Sequence, residues 1–101
     1  MDWIKCFKEY NRVYRVHALR RMFVRNITFG EIDEILDRIE VIEEYPEDKP
    51  YPSCLILGFT KANKPIHMVF STNHEEKTVI IITVYVPDRH KWENGYKRRA
   101  R

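Results

Sequence analysis

The chain has 101 residues, 44% of them hydrophobic and 33% charged, with 18 basic residues against 15 acidic ones and a net charge of +3. That length predicts one domain burying about 65% of its unfolded surface, and that composition excludes an intrinsically disordered chain. No apolar run approaches the roughly 20 residues of a membrane helix, and charges interrupt the opening MDWIKCFKEY, which argues against a signal peptide; a soluble, cytoplasmic protein with no membrane partner is expected.

In chain order, Trp3 to Glu9 predicts a short helix with Trp3, Ile4 and Phe7 on one face. Val16 to Arg25 predicts a second helix that stops at Asn26, a residue that tolerates the left-handed conformation. On a wheel of 3.6 residues per turn, Val16, Ala18, Leu19, Met22 and Phe23 gather on a core side. His17, Arg20, Arg21 and Val24 gather on the opposite side, with Arg21 one turn beyond His17. Thr28 and Glu31 have capping-box spacing, and Ile27 and Ile32 fall at the positions of a hydrophobic staple. Ile32, Ile35, Leu36 and Ile39 then continue a helical apolar stripe.

The period then changes to that of strands. Val41–Tyr45, Ser53–Thr60, Pro65–Ser71 and Thr78–Val86 alternate as four strands, and the three prolines of YPEDKPYP make the first connection a rigid loop. In the third strand Ile66, Met68 and Phe70 oppose His67, Val69 and Ser71. The last strand is apolar enough for the sheet centre. Unbroken alternation predicts Ile80, Ile82, Val84 and Val86 towards the helices and Val79, Ile81, Thr83 and Tyr85 away from them. The order predicts an α+β fold, with two to three N-terminal helices packed on a four-stranded, mostly antiparallel sheet. Residues 1–92 are expected to form the domain and 93–101 a basic tail, loosely held from Asp88 except at Trp92 and Tyr96.

Charge is unevenly spread. Arg12, Arg15, Arg20, Arg21 and Arg25 crowd the N-terminal third, Lys91, Lys97, Arg98, Arg99 and Arg101 crowd the end, and acid dominates from Glu31 to Asp48. Such opposed patches suit an anion on one side and a basic partner on the other. Cys6 and Cys54 form no metal-ligand or disulfide pattern. No clustered metal ligands, Walker loop, dinucleotide fingerprint or GxSxG is present, so no metal or other cofactor is expected. An imidazole beside guanidinium forks, which match phosphate geometry, makes His17, Arg20 and Arg21 the leading local constellation.

VHALRRM, IEEYPEDKPYPSCLILG, KPIHMVF and IIITVYVPD together resemble a family of small prokaryotic domains of unassigned function. The shared pattern is an H-A-x-x-R-M helix, a Y-P-x-D-K-P-x-P-S loop, a P-[LI]-H strand and an I-T-V-Y-x-P-D ending, spread over Tyr14 to Trp92. That family in turn resembles an outlying branch of the RelE, barnase and colicin-D type of endoribonuclease. The resemblance implies a RelE-like fold and a toxin of a type II toxin–antitoxin pair. Its partners would be RNA and a cognate antitoxin with zinc-ribbon and helix-turn-helix domains. Position by position it picks out His17, Arg21, His67, Thr83 and Tyr85, with Asp48, Lys49 and Ser53 in the loop. Val86, where the family often has an acidic residue, and Asn26, where glycine is usual, depart from the pattern.

The expected chemistry is metal-independent cleavage of RNA through the 2′-hydroxyl. His17 would serve as base or acid, His67 or Tyr85 as its counterpart, Arg21 as the stabiliser of phosphorane charge and Thr83 as a phosphate or His67 ligand. Arg20, Lys49, Ser53, Arg89 and Lys91 complete the expected substrate-binding set. The rival reading is a non-catalytic RNA- or protein-binding module on a degenerate ribonuclease-like fold.

Overall fold

The computed structural model describes residues 1–100. The chain runs α1 (Trp3–Glu9), β1 (Asn11–Tyr14), α2 (Val16–Val24), α3 (Phe29–Glu34), a 3-10 turn (Ile35–Asp37), β2 (Ile39–Tyr45), β3 (Ser53–Phe59), β4 (Pro65–Asn73), β5 (Thr78–Tyr85), β6 (Trp92–Glu93) and β7 (Arg98–Arg99). It is an α+β fold. Its sheet has five strands rather than four, in the order β1-β5-β4-β3-β2, and every pairing is antiparallel except that of β1 with β5. The added strand is only four residues long and offers one strongly apolar side chain, Val13, which is exposed. β5 is therefore an internal strand, and the centre of the sheet is β4.

The helices cover one face. Asp2 caps α1, which buries Trp3, Cys6 and Phe7. Thr28 and Glu31 form the reciprocal capping box of α3, and Ile27 and Ile32 on either side of it are buried. The helix ends earlier than the apolar stripe: Ile35 and Leu36 lie in the 3-10 turn and Ile39 opens β2. At Gly58 an added Cβ would sit 2.6 Å from the Cβ of Ile35, so glycine is what lets the turn rest on β3. Asn26, at φ 55°, makes the left-handed exit from α2.

Two face assignments change. β5 carries a bulge: Phe70 pairs with Ile81 and Val69 with Thr83, leaving Ile82 as the extra residue. A bulge inverts the alternation on either side of it. Val79 and Ile81 therefore join the helix-side core instead of Ile80 and Ile82. Val84 and Val86 remain on that side, and Thr83 and Tyr85 face away. In α2 only Ala18 and Met22 are buried, whereas Val16, Leu19 and Phe23 are exposed. The reason is position. α2 follows β1 at the sheet edge and packs on β5, so only a narrow sector of it reaches the core.

The segment after Pro87 is not loosely held. β6 and β7 pair as a hairpin, its base closed by the Ala100 amide donating to the Lys91 carbonyl at 2.9 Å. Lys97 reaches Glu40 and Arg99 reaches Glu43, both on β2. Trp92 is buried against His67 on the face away from the helices. Among the described residues, no helix is long and apolar enough to cross a membrane.

Candidate functional site

His67 sits in the middle of this second face, opposite Tyr85 on β5 and Leu57 on β3, and is wholly buried. Its Nε2 lies 2.9 Å from the carbonyl oxygen of Tyr96 and its Nδ1 3.2 Å from the hydroxyl of Tyr85. A carbonyl only accepts, so Nε2 carries the ring proton and Nδ1 accepts from the Tyr85 hydroxyl. Burial lowers the imidazole pKa to about 4, outweighing the Tyr96 carbonyl and Glu43, which favour the charged form. The ring is neutral at pH 7.

Tyr85 carries the other half of the pair. It is partly exposed, and burial raises its phenol pKa, with Arg99 and Arg21 pulling the other way. Its proton points at His67, so the remaining lone pairs of the oxygen are free to accept a hydrogen bond from elsewhere.

A cleft of about 310 Å³ opens beside this phenol. Arg21 reaches it from α2 and Arg25 from the C-cap of that helix, and Lys91 and Arg99 from the C-terminal segment; Tyr85, Trp92, Val86 and Asp88 complete the lining. Four cations thus face one carboxylate. Arg21, Arg25 and Lys91 have no ion-pair partner among the described residues. Arg99 is held 3.2 Å from Glu43, with its guanidinium carbon 4.8 Å from the centroid of Trp92. Burial raises the Glu43 carboxyl, but the Tyr45 hydroxyl and Arg99 outweigh it and leave its pKa below the ordinary range. A positive cleft with planar guanidinium forks and a half-buried phenol suits a phosphodiester.

The structure sorts the sequence candidates. Arg21, Tyr85 and Lys91 share the cleft, and His67 stands directly behind Tyr85. Thr83 lies two residues before Tyr85 on the same face, and its Oγ1 is buried with no hydrogen-bond partner among the described residues. His17 is exposed on α2 one turn before Arg21, outside the cleft lining, as are Arg20 and Arg89. Lys49 and Ser53 are at the other end of the sheet. Ser53 pairs with Ser71, four residues along β4 from His67, or roughly 13 Å away. Its hydroxyl donates to Asp48 and is buried, so Ser53 and Asp48 fasten the proline loop.

The site also contains residues that motif reasoning missed. Arg25 is one turn beyond Arg21, and the wheel that selected Arg21 would have found it. Trp92, Tyr96 and Arg99 come from the hairpin, whose sequence signal is Asn94-Gly95 between strand-like pairs. Glu43 had no local signal. A cavity of about 660 Å³ between α1 and the β4–β5 turn is larger. Its lining balances Asp2 and Glu9 against Lys5 and Lys77, and its histidine, His74, is engaged by Tyr10.

Fold and site together define a small α+β domain with a cation-lined cleft beside a tyrosine–histidine pair. The chain belongs to the family described as "Domain of unknown function (DUF4258)", whose model matches residues 14–86. No curated protein and no solved structure matches it. The matched span holds α2 and β2 to β5, and with them Arg21, His67 and Tyr85; Lys91, Trp92, Tyr96 and Arg99 lie beyond it.

Proposed function

We propose that this chain is a metal-independent endoribonuclease, the toxin of a type II toxin–antitoxin pair, acting on RNA in the cytoplasm. The observation that carries the reading is the Tyr85 hydroxyl, hydrogen-bonded to a buried neutral His67 and opening on a cleft lined by Arg21, Arg25, Lys91 and Arg99. The sequence resemblance supports it from a separate direction and supplies the antitoxin as partner.

In this mechanism the scissile phosphate lies among the guanidiniums, which stabilise the charge of the phosphorane. The 2′-hydroxyl passes its proton to the Tyr85 oxygen as the 2′-oxygen attacks phosphorus, and Tyr85 passes its own proton to His67 Nδ1. The bond from phosphorus to the 5′ oxygen breaks, and that oxygen takes a proton from solvent, since His17 lies outside the cleft lining. The products are a 2′,3′-cyclic phosphate and a 5′-hydroxyl. The anionic substrate favours the protonated form of His67 and so offsets part of its burial penalty.

The test is incubation of purified protein with an RNA oligonucleotide and with the same oligonucleotide carrying 2′-deoxyribose throughout. Cyclic-phosphate ends on the RNA alone support the reading. Salt-sensitive binding without cleavage, unchanged in Tyr85→Phe and His17→Ala, replaces it with the non-catalytic module, a reading favoured by the complete burial of His67. In cells, growth arrest that needs Tyr85 and is relieved by the product of the adjacent gene tests the toxin assignment.

A further inference from the structure

We propose that the C-terminal hairpin is the positioning element of the Tyr85–His67 pair. By fixing which His67 nitrogen is protonated, it turns the lone pairs of the Tyr85 oxygen towards the cleft. This rests on the reading of Tyr85 as the proton acceptor. It adds Tyr96, Glu43 and Gly95 as residues that act through others, two of them outside the span the family shares.

The geometry is direct. An imidazole on a sheet face has two neutral tautomers, and a tyrosine hydroxyl can either donate to it or accept from it. Tyr85 alone therefore leaves the choice open. The Tyr96 carbonyl, 2.9 Å from Nε2, removes it: Nε2–H must donate there, and Nδ1 must accept from Tyr85. That carbonyl is delivered by an unusual turn in which Asn94, Gly95 and Tyr96 all have positive φ, at 53°, 66° and 71°. The turn is pinned at three places. Trp92 packs edge-on against His67 with centroids 4.4 Å apart, Arg99 bonds Glu43, and Lys97 bonds Glu40. The same Arg99 lines the cleft, so docking of the hairpin delivers a cation and sets the tautomer together.

Gly95→Val isolates the turn. No atom lies within 4 Å of the added Cβ, so the substitution acts only through strain at positive φ. Gly95→Asn, which tolerates that conformation, is the conservative control. Nitrogen-15 imidazole spectra at pH 7 should show His67 in the wild type and in Gly95→Asn with a protonated Nε2 and a bare Nδ1. In Gly95→Val, and in the Glu40→Gln/Glu43→Gln pair that frees Lys97 and Arg99, both nitrogens should move to averaged shifts. With RNA, kcat should fall roughly 10- to 100-fold in those two variants, as for a misplaced reacting group, and return in Gly95→Asn. A protonated Nδ1 in the wild type overturns the proposal. So does a wild-type His67 spectrum in Gly95→Val once fast exchange of the Ala100 amide shows that the hairpin has lifted. If the wild type cuts no RNA, the enzyme reading fails by itself, and the spectra still decide the role of the hairpin.

Discussion

Tyr85 donates its proton to a histidine that burial keeps neutral, so the two residues have separate, measurable consequences. Tyr85→Phe keeps the ring and the cleft but removes the transferable proton. RNA cleavage should fall about 10²- to 10⁴-fold, the usual worth of a general acid or base, while RNA affinity stays within about threefold, because the guanidiniums are untouched; single-turnover rates and binding isotherms on one oligonucleotide separate the two. His67 has the opposite signature, visible in stability. Its pKa falls from 6.5 in the unfolded chain to about 4 in the fold, so the unfolded state binds the extra proton between those values. Stability is therefore full above pH 6.5 and is lost as pH falls towards 4, by roughly 3 kcal/mol from this group. Carboxylates titrate in the lower part of that window too. The wild type should lose more stability than His67→Gln between pH 7 and 4.5 in denaturant melts, and equal losses would place His67 in a wetter site than its burial shows.

At the scale of elements, what could be read from the sequence followed the range of the forces involved. The capping box of α3 and the left-handed Asn26 are set by neighbours three or four residues apart, and both stand in the structure as expected. Strand existence in β2 to β5 was equally legible, since alternation is local. The face of β5 was not, because the bulge at Ile82 comes from pairing with β4, and no period within β5 records it. The wheel of α2 failed for a related reason. It assumes one buried half, whereas a helix at a sheet edge buries a sector, leaving an apolar shoulder at Leu19 and Phe23 and a basic one at Arg21 and Arg25. The wheel still placed Arg21 clear of the core. His67 and Tyr85 came from motif resemblance, and their mutual contact from register. The packing of the 3-10 turn on β3 gives an element-scale test. Gly58→Ala puts a methyl where Ile35 already is, so it should destabilise the fold by about 1–3 kcal/mol, read as a lower denaturant midpoint at unchanged m-value. Adding Ile35→Val should recover little, because the 2.6 Å approach is to the Ile35 Cβ, which valine keeps.

Over the whole molecule, the modest net charge of +3 conceals a division of labour among its 18 basic residues. Arg12, Lys64, Lys97 and Arg98 are spent on carboxylates of α3, β2 and β6, and Arg38 is held by Asn63 and Phe59. Arg21, Arg25 and Lys91, around one cleft, have no ion-pair partner among the described residues. Other cations with no such partner, Arg15, Arg20, Lys61 and Arg89 among them, lie outside that cleft, so its cations supply only a share of the attraction for a polyanion. Each phosphate neutralised on a single strand contributes about 0.7 to the slope of log affinity against log salt. Arg21→Ala and Arg25→Ala should each lower the slope for single-stranded RNA by about that much and weaken binding without regard to sequence. Lys49→Ala, in the proline loop at the other end of the sheet, should leave the slope unchanged. Titrations of a fluorescent oligonucleotide at several salt concentrations check this. A loss at Lys49 equal to that at Arg21 would move the RNA path off the cleft and onto the loop, and with it the assignment of Tyr85 to the scissile phosphate.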